Sequence, residues 1–124
     1  MLILCAVAPA PVPACAGHAS PKDSARVDRN VITQEQLIEH RFSNAYEAVE
    51  ALHSNWLQTR GSDSFRTPTQ VQVYLDDTRL GGIETLRSIA TAGVLFIRHY
   101  DGVSAAARWG LDHGQGVILV STRR

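Results

Sequence analysis

From Val71 to the C-terminus four short segments follow one another at close spacing: VQVYLDDTRLGG, VLFIRHYDG, SAAARWG and GQGVILVSTRR. Val71, Val73 and Leu75 alternate with Gln72, Tyr74 and Asp76. This is the period of a strand with one apolar face turned inward and a more polar face turned outward. Asp76 and Asp77 then turn the chain into Thr78–Leu80, which makes the pair of strands a hairpin. A tight hairpin wants positive backbone dihedrals, expected here at Asp77, where the left-handed conformation costs on the order of 1 kcal/mol. Replacing Asp77 by Gly is therefore expected to raise the melting temperature. Ile83, Leu86 and Ile89 recur every three residues and predict a short helical turn laid on the sheet. Val94–Tyr100 is apolar on both faces at its start, as in a central strand covered on two sides. Ser104–Trp109 reads as a small-residue helical turn, and Gly114 and Gly116 flank the entry to a last strand over Val117–Thr122.

The segment before this series is helical. Val31 and Ile32 form a short strand, and Thr33 with Gln36 is a capping-box pattern that starts a helix over Gln34 to about His40. Asn44 with Glu47 repeats the signal for a second helix, in which Ala45, Val49, Leu52 and Trp56 fall on one face while Glu47, Glu50 and Ser54 face water. Thr59 to Gln70 carries Gly, Ser, Thr and Pro without a period and reads as a loop. At about twelve residues it is at the upper end of ordinary connections, a length often found in functional or mobile loops. The pattern is that of an α+β domain over residues 29–124: a small mixed sheet of four to five strands packed with two short helices.

Composition bounds what such a domain can do. The chain has 124 residues, enough for one domain, with 44% apolar and 19% charged residues. Twelve basic and twelve acidic residues leave no net charge and no basic block to neutralise phosphates, which argues against nucleic-acid binding. All of these charges fall at Lys22 or later. The preceding apolar run Leu2–Ala8 and the Pro/Ala-rich Pro9–Ala16 look like an export signal over residues 1–16, too short to span a bilayer as a helix. Two processing routes stay open. Val12, Ala14 and Cys15 fit a lipoprotein signal in which Cys15 receives the lipid, whereas Ala14, Cys15 and Ala16 fit ordinary cleavage after Ala16. Neither route leaves a pair of cysteines to bridge. Residues 17–28 are small and polar and read as a flexible tether.

Catalytic patterns fit poorly. Ser104, Asp112 and His113 are the residue types of a hydrolase triad, but Ser104 lacks the G-x-S-x-G elbow that presents a nucleophile. His18, His40, His53, His99 and His113 stand singly, without the paired spacing that sets two metal ligands on one helix face. Gly81-Gly82 and Gly114-x-Gly116 lack the neighbours of a phosphate loop, so turn formation explains them better. The expectation is a non-enzyme without cofactor or metal.

The order of these segments resembles the plug domain of TonB-dependent outer-membrane receptors. The likeness runs from the VIT strand and its capped helix, through the second helix and the Asp-centred hairpin, to the closing Gly-Val-Ile strand, and covers about Val31 to Arg124. It implies a location in the cell envelope, at the periplasmic face of the outer membrane or in the periplasm. Plug loops face the ligand side of a barrel, which would make Arg60, Asp63, Phe65 and Arg66 ligand- or partner-facing; a plain solvated loop is the alternative. A receptor barrel needs about 22 strands of roughly 9 to 11 residues, which this chain does not hold. The resemblance therefore implies a non-enzymatic, plug-like binding module whose partner is an outer-membrane barrel, another envelope protein or a small ligand. It reaches the membrane through a lipid if Cys15 is modified. A plug fragment of a transport receptor whose barrel is missing and a small periplasmic enzyme are the alternatives.

Overall fold

The computed structural model describes residues 28–59 and 70–123, with Pro9 alone before them. Its elements run β1 (Val31–Thr33), α1 (Gln34–His40), α2 (Ala45–His53), β2 (Gln72–Leu75), β3 (Thr78–Gly81), β4 (Phe96–Tyr100), α3 (Gly102–Trp109) and β5 (Val117–Ser121). Short 3₁₀ segments fill Ser54–Leu57, Ile83–Ser88, Thr91–Gly93 and Leu111–His113. The five strands form one mixed sheet in the order β1-β4-β5-β2-β3, with β2 parallel to β5 and every other neighbour antiparallel. This is the α+β architecture expected from the sequence.

Both predicted helix starts form as the side-chain chemistry requires. Gln36 N–H donates to Thr33 Oγ1 at 3.4 Å while Thr33 N–H donates to Gln36 Oε1 at 3.0 Å, a complete capping box. Glu47 N–H donates to Asn44 Oδ1 at 2.9 Å at the start of α2. These bonds satisfy amides that a helix N-terminus leaves without a partner. α1 stops where Arg41 adopts the left-handed conformation (φ 53°).

The main core lies between one face of the sheet and α1, α2 and the 3₁₀ segments. Ile32, Val49, Leu86, Ile97, Ile118 and Val120 are fully buried there. Each such side chain contributes about 1.5–3 kcal/mol relative to an exposed position. The predicted α2 face holds: Ala45 and Val49 are buried, Leu52 is half-buried, and Trp56 is buried from the 3₁₀ turn that extends the helix. Ala48, absent from that predicted face, is fully buried as well.

Four expectations need correction. The residues 104–109 read as a helical turn belong to an eight-residue third α-helix, capped by Asp101, whose carboxylate accepts from Ser104 N–H at 2.7 Å. That helix covers Tyr74 on the second face of the sheet, where Arg79 Nε–H also donates to Gln72 Oε1 at 3.2 Å, and Tyr74 and Gln72, expected outward, are 8% and 7% exposed. Tyr74, Ala105, Val117 and Leu119 form a second core there, flanked by Tyr100 and Trp109. Because α3 and its aromatic neighbours close this face, the strand buried on both sides is β5 at the centre of the sheet, where all five residues are buried. β4, expected in that role, exposes Arg98. In the hairpin the positive φ falls on Asp76 (53°) and not on Asp77. Leu75 pairs with Thr78, and Asp76 holds this conformation because its carboxylate is tied to Thr122 at the end of β5.

Candidate functional site

A cleft of about 460 Å³ opens at the end of the sheet where β4 finishes and β1 and β5 begin. Four stretches distant in sequence build it: Arg29 and Asn30 before β1, His53 to Gln58 at the end of α2, His99 to Gly102 at the β4–α3 junction, and Gly114 and Gln115 before β5. The main-chain bond from His99 N–H to the Asn30 carbonyl, 2.8 Å long, holds the first of these stretches against the third.

The cleft owes its shape to backbone packing that only glycine permits. A Cβ on Gly102 would lie 2.0 Å from the Gly114 carbonyl oxygen, so the two connections touch main chain to main chain. Gly116 has φ +99°, and a Cβ there would meet the Tyr100 carbonyl oxygen at 2.7 Å. Both positions require glycine, one for close approach and one also for its left-handed backbone.

An aromatic stack stands on one side. The His53 ring lies parallel to Trp56 with centroids 4.3 Å apart and planes 2° from parallel. The His99 ring stacks on the same indole at 5.3 Å and 13°. Trp56 is buried while both imidazoles are half-exposed. Burial holds the His53 pKa below its ordinary value, because a charged imidazolium loses solvation there. At the β4–α3 junction the hydrogen bonds from Ser104 chiefly hold the Asp101 carboxyl below the usual carboxylate range, with His99 adding a smaller electrostatic pull. Asp101 is thus an ionised helix cap. Asn30, Asn55 and Gln58 line the cleft from exposed positions, each carrying a donor and an acceptor.

A shallower depression of about 200 Å³ beside the cleft brings His99, Asp101 and Ser104 together with Asp28, Asn30, Arg98 and Tyr100. Arg98 pairs with Asp28 at 3.7 Å, both side chains about half exposed, an arrangement that contributes little to stability.

The triad types singled out in the sequence do not assemble. His113 is buried on the second face, with Nε2 2.9 Å from Tyr74 Oη and Nδ1 3.2 Å from the Gly110 carbonyl oxygen. A carbonyl only accepts, so Nδ1 carries the proton and Nε2 accepts from the phenol. Asp112 faces Arg79 at 3.7 Å, and Ser104 serves the α3 cap. Cys15, Arg60, Asp63, Phe65 and Arg66 lie outside the described residues. The residues that form the cleft carry no spacing motif. Asp101 alone had a local signal, an Asp three residues before Ser104 at the start of a small-residue helix.

Among the described residues no group of three or more His, Cys, Asp or Glu side chains gathers to hold a metal ion, and no helix is long and apolar enough to cross a membrane. No protein-family model, curated protein or solved structure matches the chain.

Proposed function

We propose that this chain is a non-enzymatic, plug-domain-like module of the bacterial cell envelope that binds its ligand or partner at the cleft beside Trp56. The observation that carries the reading is the order of elements: strand, two capped helices, hairpin, strand, helix and closing strand, laid out as one five-stranded sheet. That order is the one on which the resemblance to TonB-dependent receptor plugs rests. The chemistry of the cleft supports binding. Its described lining is amide, imidazole, indole and one ion of each sign, and includes no Ser, Thr, Cys, Lys or Tyr to act as a nucleophile.

A second reading, a small periplasmic enzyme, draws on the His99, Asp101 and Ser104 side chains that share the neighbouring depression. The hydrogen-bond order speaks against it. Asp101 accepts from the Ser104 backbone N–H at 2.7 Å as the cap of α3 and is held below the usual carboxylate range, which makes it a weak base for a serine hydroxyl.

Fractionation of cells producing the full chain tests the reading. It should be recovered with the outer membrane or periplasm and be inert toward ester and amide test substrates. Recovery in the cytosol, or turnover abolished by Ser104→Ala, contradicts it.

A further inference from the structure

The cleft suits one ligand chemistry better than others. Its volume of about 460 Å³ falls within the roughly 300–1,000 Å³ of small-molecule sites. Its formal charge is balanced, with Arg29 against Asp101, so it offers no net field to draw in a strongly charged solute. The Asp101 carboxylate already accepts from Ser104 N–H at 2.7 Å. What the lining does offer is carboxamides. Asn30, Asn55 and Gln58 present NH₂ donors and carbonyl acceptors on exposed positions around one opening. A ligand whose neighbouring groups each donate and accept satisfies such a set without leaving a desolvated polar atom unpaired. Beside the amides stands a flat ring surface, the parallel His53, Trp56 and His99 stack, fixed from behind by the buried indole. Flat rings take the C–H face of a pyranose, and amides take its hydroxyls.

We infer that the cleft between the Trp56 stack and the Gly102–Gly114 contact is a binding site for a neutral saccharide of one or two rings. The inference rests on the binding-module reading above and adds the ligand class to it. Pre-formed walls favour recognition, since little ordering is left to oppose binding.

The test uses the full chain with Trp109→Phe, which leaves Trp56 as the only tryptophan of two. Its fluorescence is followed during titration with maltose and N,N′-diacetylchitobiose, and separately with glucose 6-phosphate and glycine. The expected result is a saturable change with at least one neutral disaccharide, weakened tenfold or more by Asn55→Ala with Gln58→Ala and unchanged by Ile38→Ser on α1. In the unmodified chain the His53 and His99 ring proton resonances should shift in the same titration, which covers a Trp109→Phe variant that folds poorly. Saturable binding of only the charged probes, no response to any probe, or a disaccharide response indifferent to the two amide substitutions overturns the saccharide assignment. Cleavage of a bound disaccharide during the titration instead overturns the non-enzymatic reading and leaves the saccharide site standing.

Discussion

Asp76 reaches from the β2–β3 turn to Thr122 just beyond β5, accepting from its backbone N–H at 2.8 Å and from its hydroxyl at 2.6 Å. One carboxylate thereby fastens the tip of the edge hairpin to the end of the central strand, and Arg123 adds a partner at 3.8 Å. The same residue carries the hairpin's positive φ. Asp76→Ala is expected to lower the melting temperature by losing both bonds and keeping the strained dihedral. Asp76→Gly should lower it less, because glycine removes the strain. Asp77→Gly should leave it nearly unchanged. Thermal melts of the three variants decide this; a rise with Asp77→Gly would return the positive φ to that position.

Acid stability follows from three carboxylates. The bonds from Thr122 lower the pKa of Asp76, those from Ser104 lower that of Asp101, and its own backbone amide and Thr33 lower that of Glu35. A carboxylate whose folded pKa is depressed contributes stability that is complete above its unfolded value and is lost as pH falls through the folded one. The chain should therefore be insensitive to these groups at neutral pH and lose stability below about pH 4. Asp101→Asn should flatten that loss in urea midpoints measured across the acid range; an unchanged slope would place the acid sensitivity elsewhere.

The cleft floor is expected to be intolerant of a single methyl group. Gly102→Ala must displace main chain at Gly114 and should cost roughly 1–3 kcal/mol or more by overpacking. That corresponds to a melting-temperature drop of about 4–8 °C per kcal/mol in a domain of this size. Gly93→Ala, where an added Cβ meets nothing within 4 Å, serves as the control. Equal melting temperatures would show that the two connections do not touch.

On the second face, Tyr74→Phe removes the partner of His113 Nε2 within a buried cluster. An unpaired buried acceptor costs about 1–3 kcal/mol. Tyr74→Phe with His113→Phe should recover part of that loss, since no polar atom is then stranded. A double-mutant cycle in denaturant measures the coupling, and a value near zero would mean that the bond is worth nothing net.

What could be read from the chain was local. Thr33 with Gln36 and Asn44 with Glu47 announce their helices because a cap is satisfied within four residues. Val71–Leu75 announces its strand because a pleat has period two. The role of Tyr74 was hidden, since its phenol is satisfied by His113, 39 residues away, under a helix whose small side chains carry little apolar signal. The cleft was hidden for the same reason. Arg29, Trp56, His99 and Gln115 meet only when β4 lies between β1 and β5, and no spacing in the sequence records that.

The central claim is that the five-stranded sheet of this chain folds by itself, with β5 as its core strand and the cleft at its end. Residue-resolved hydrogen exchange on the full chain in water, without any barrel, tests it most directly. The amides of Val117–Ser121 and the inner amides of Phe96–Tyr100 should be the most protected, exchanging only by global unfolding, while those of β1 and β3 at the sheet edges exchange faster. Uniformly rapid exchange across Val117–Ser121 would contradict the account and favour a fragment that needs a barrel around it to fold.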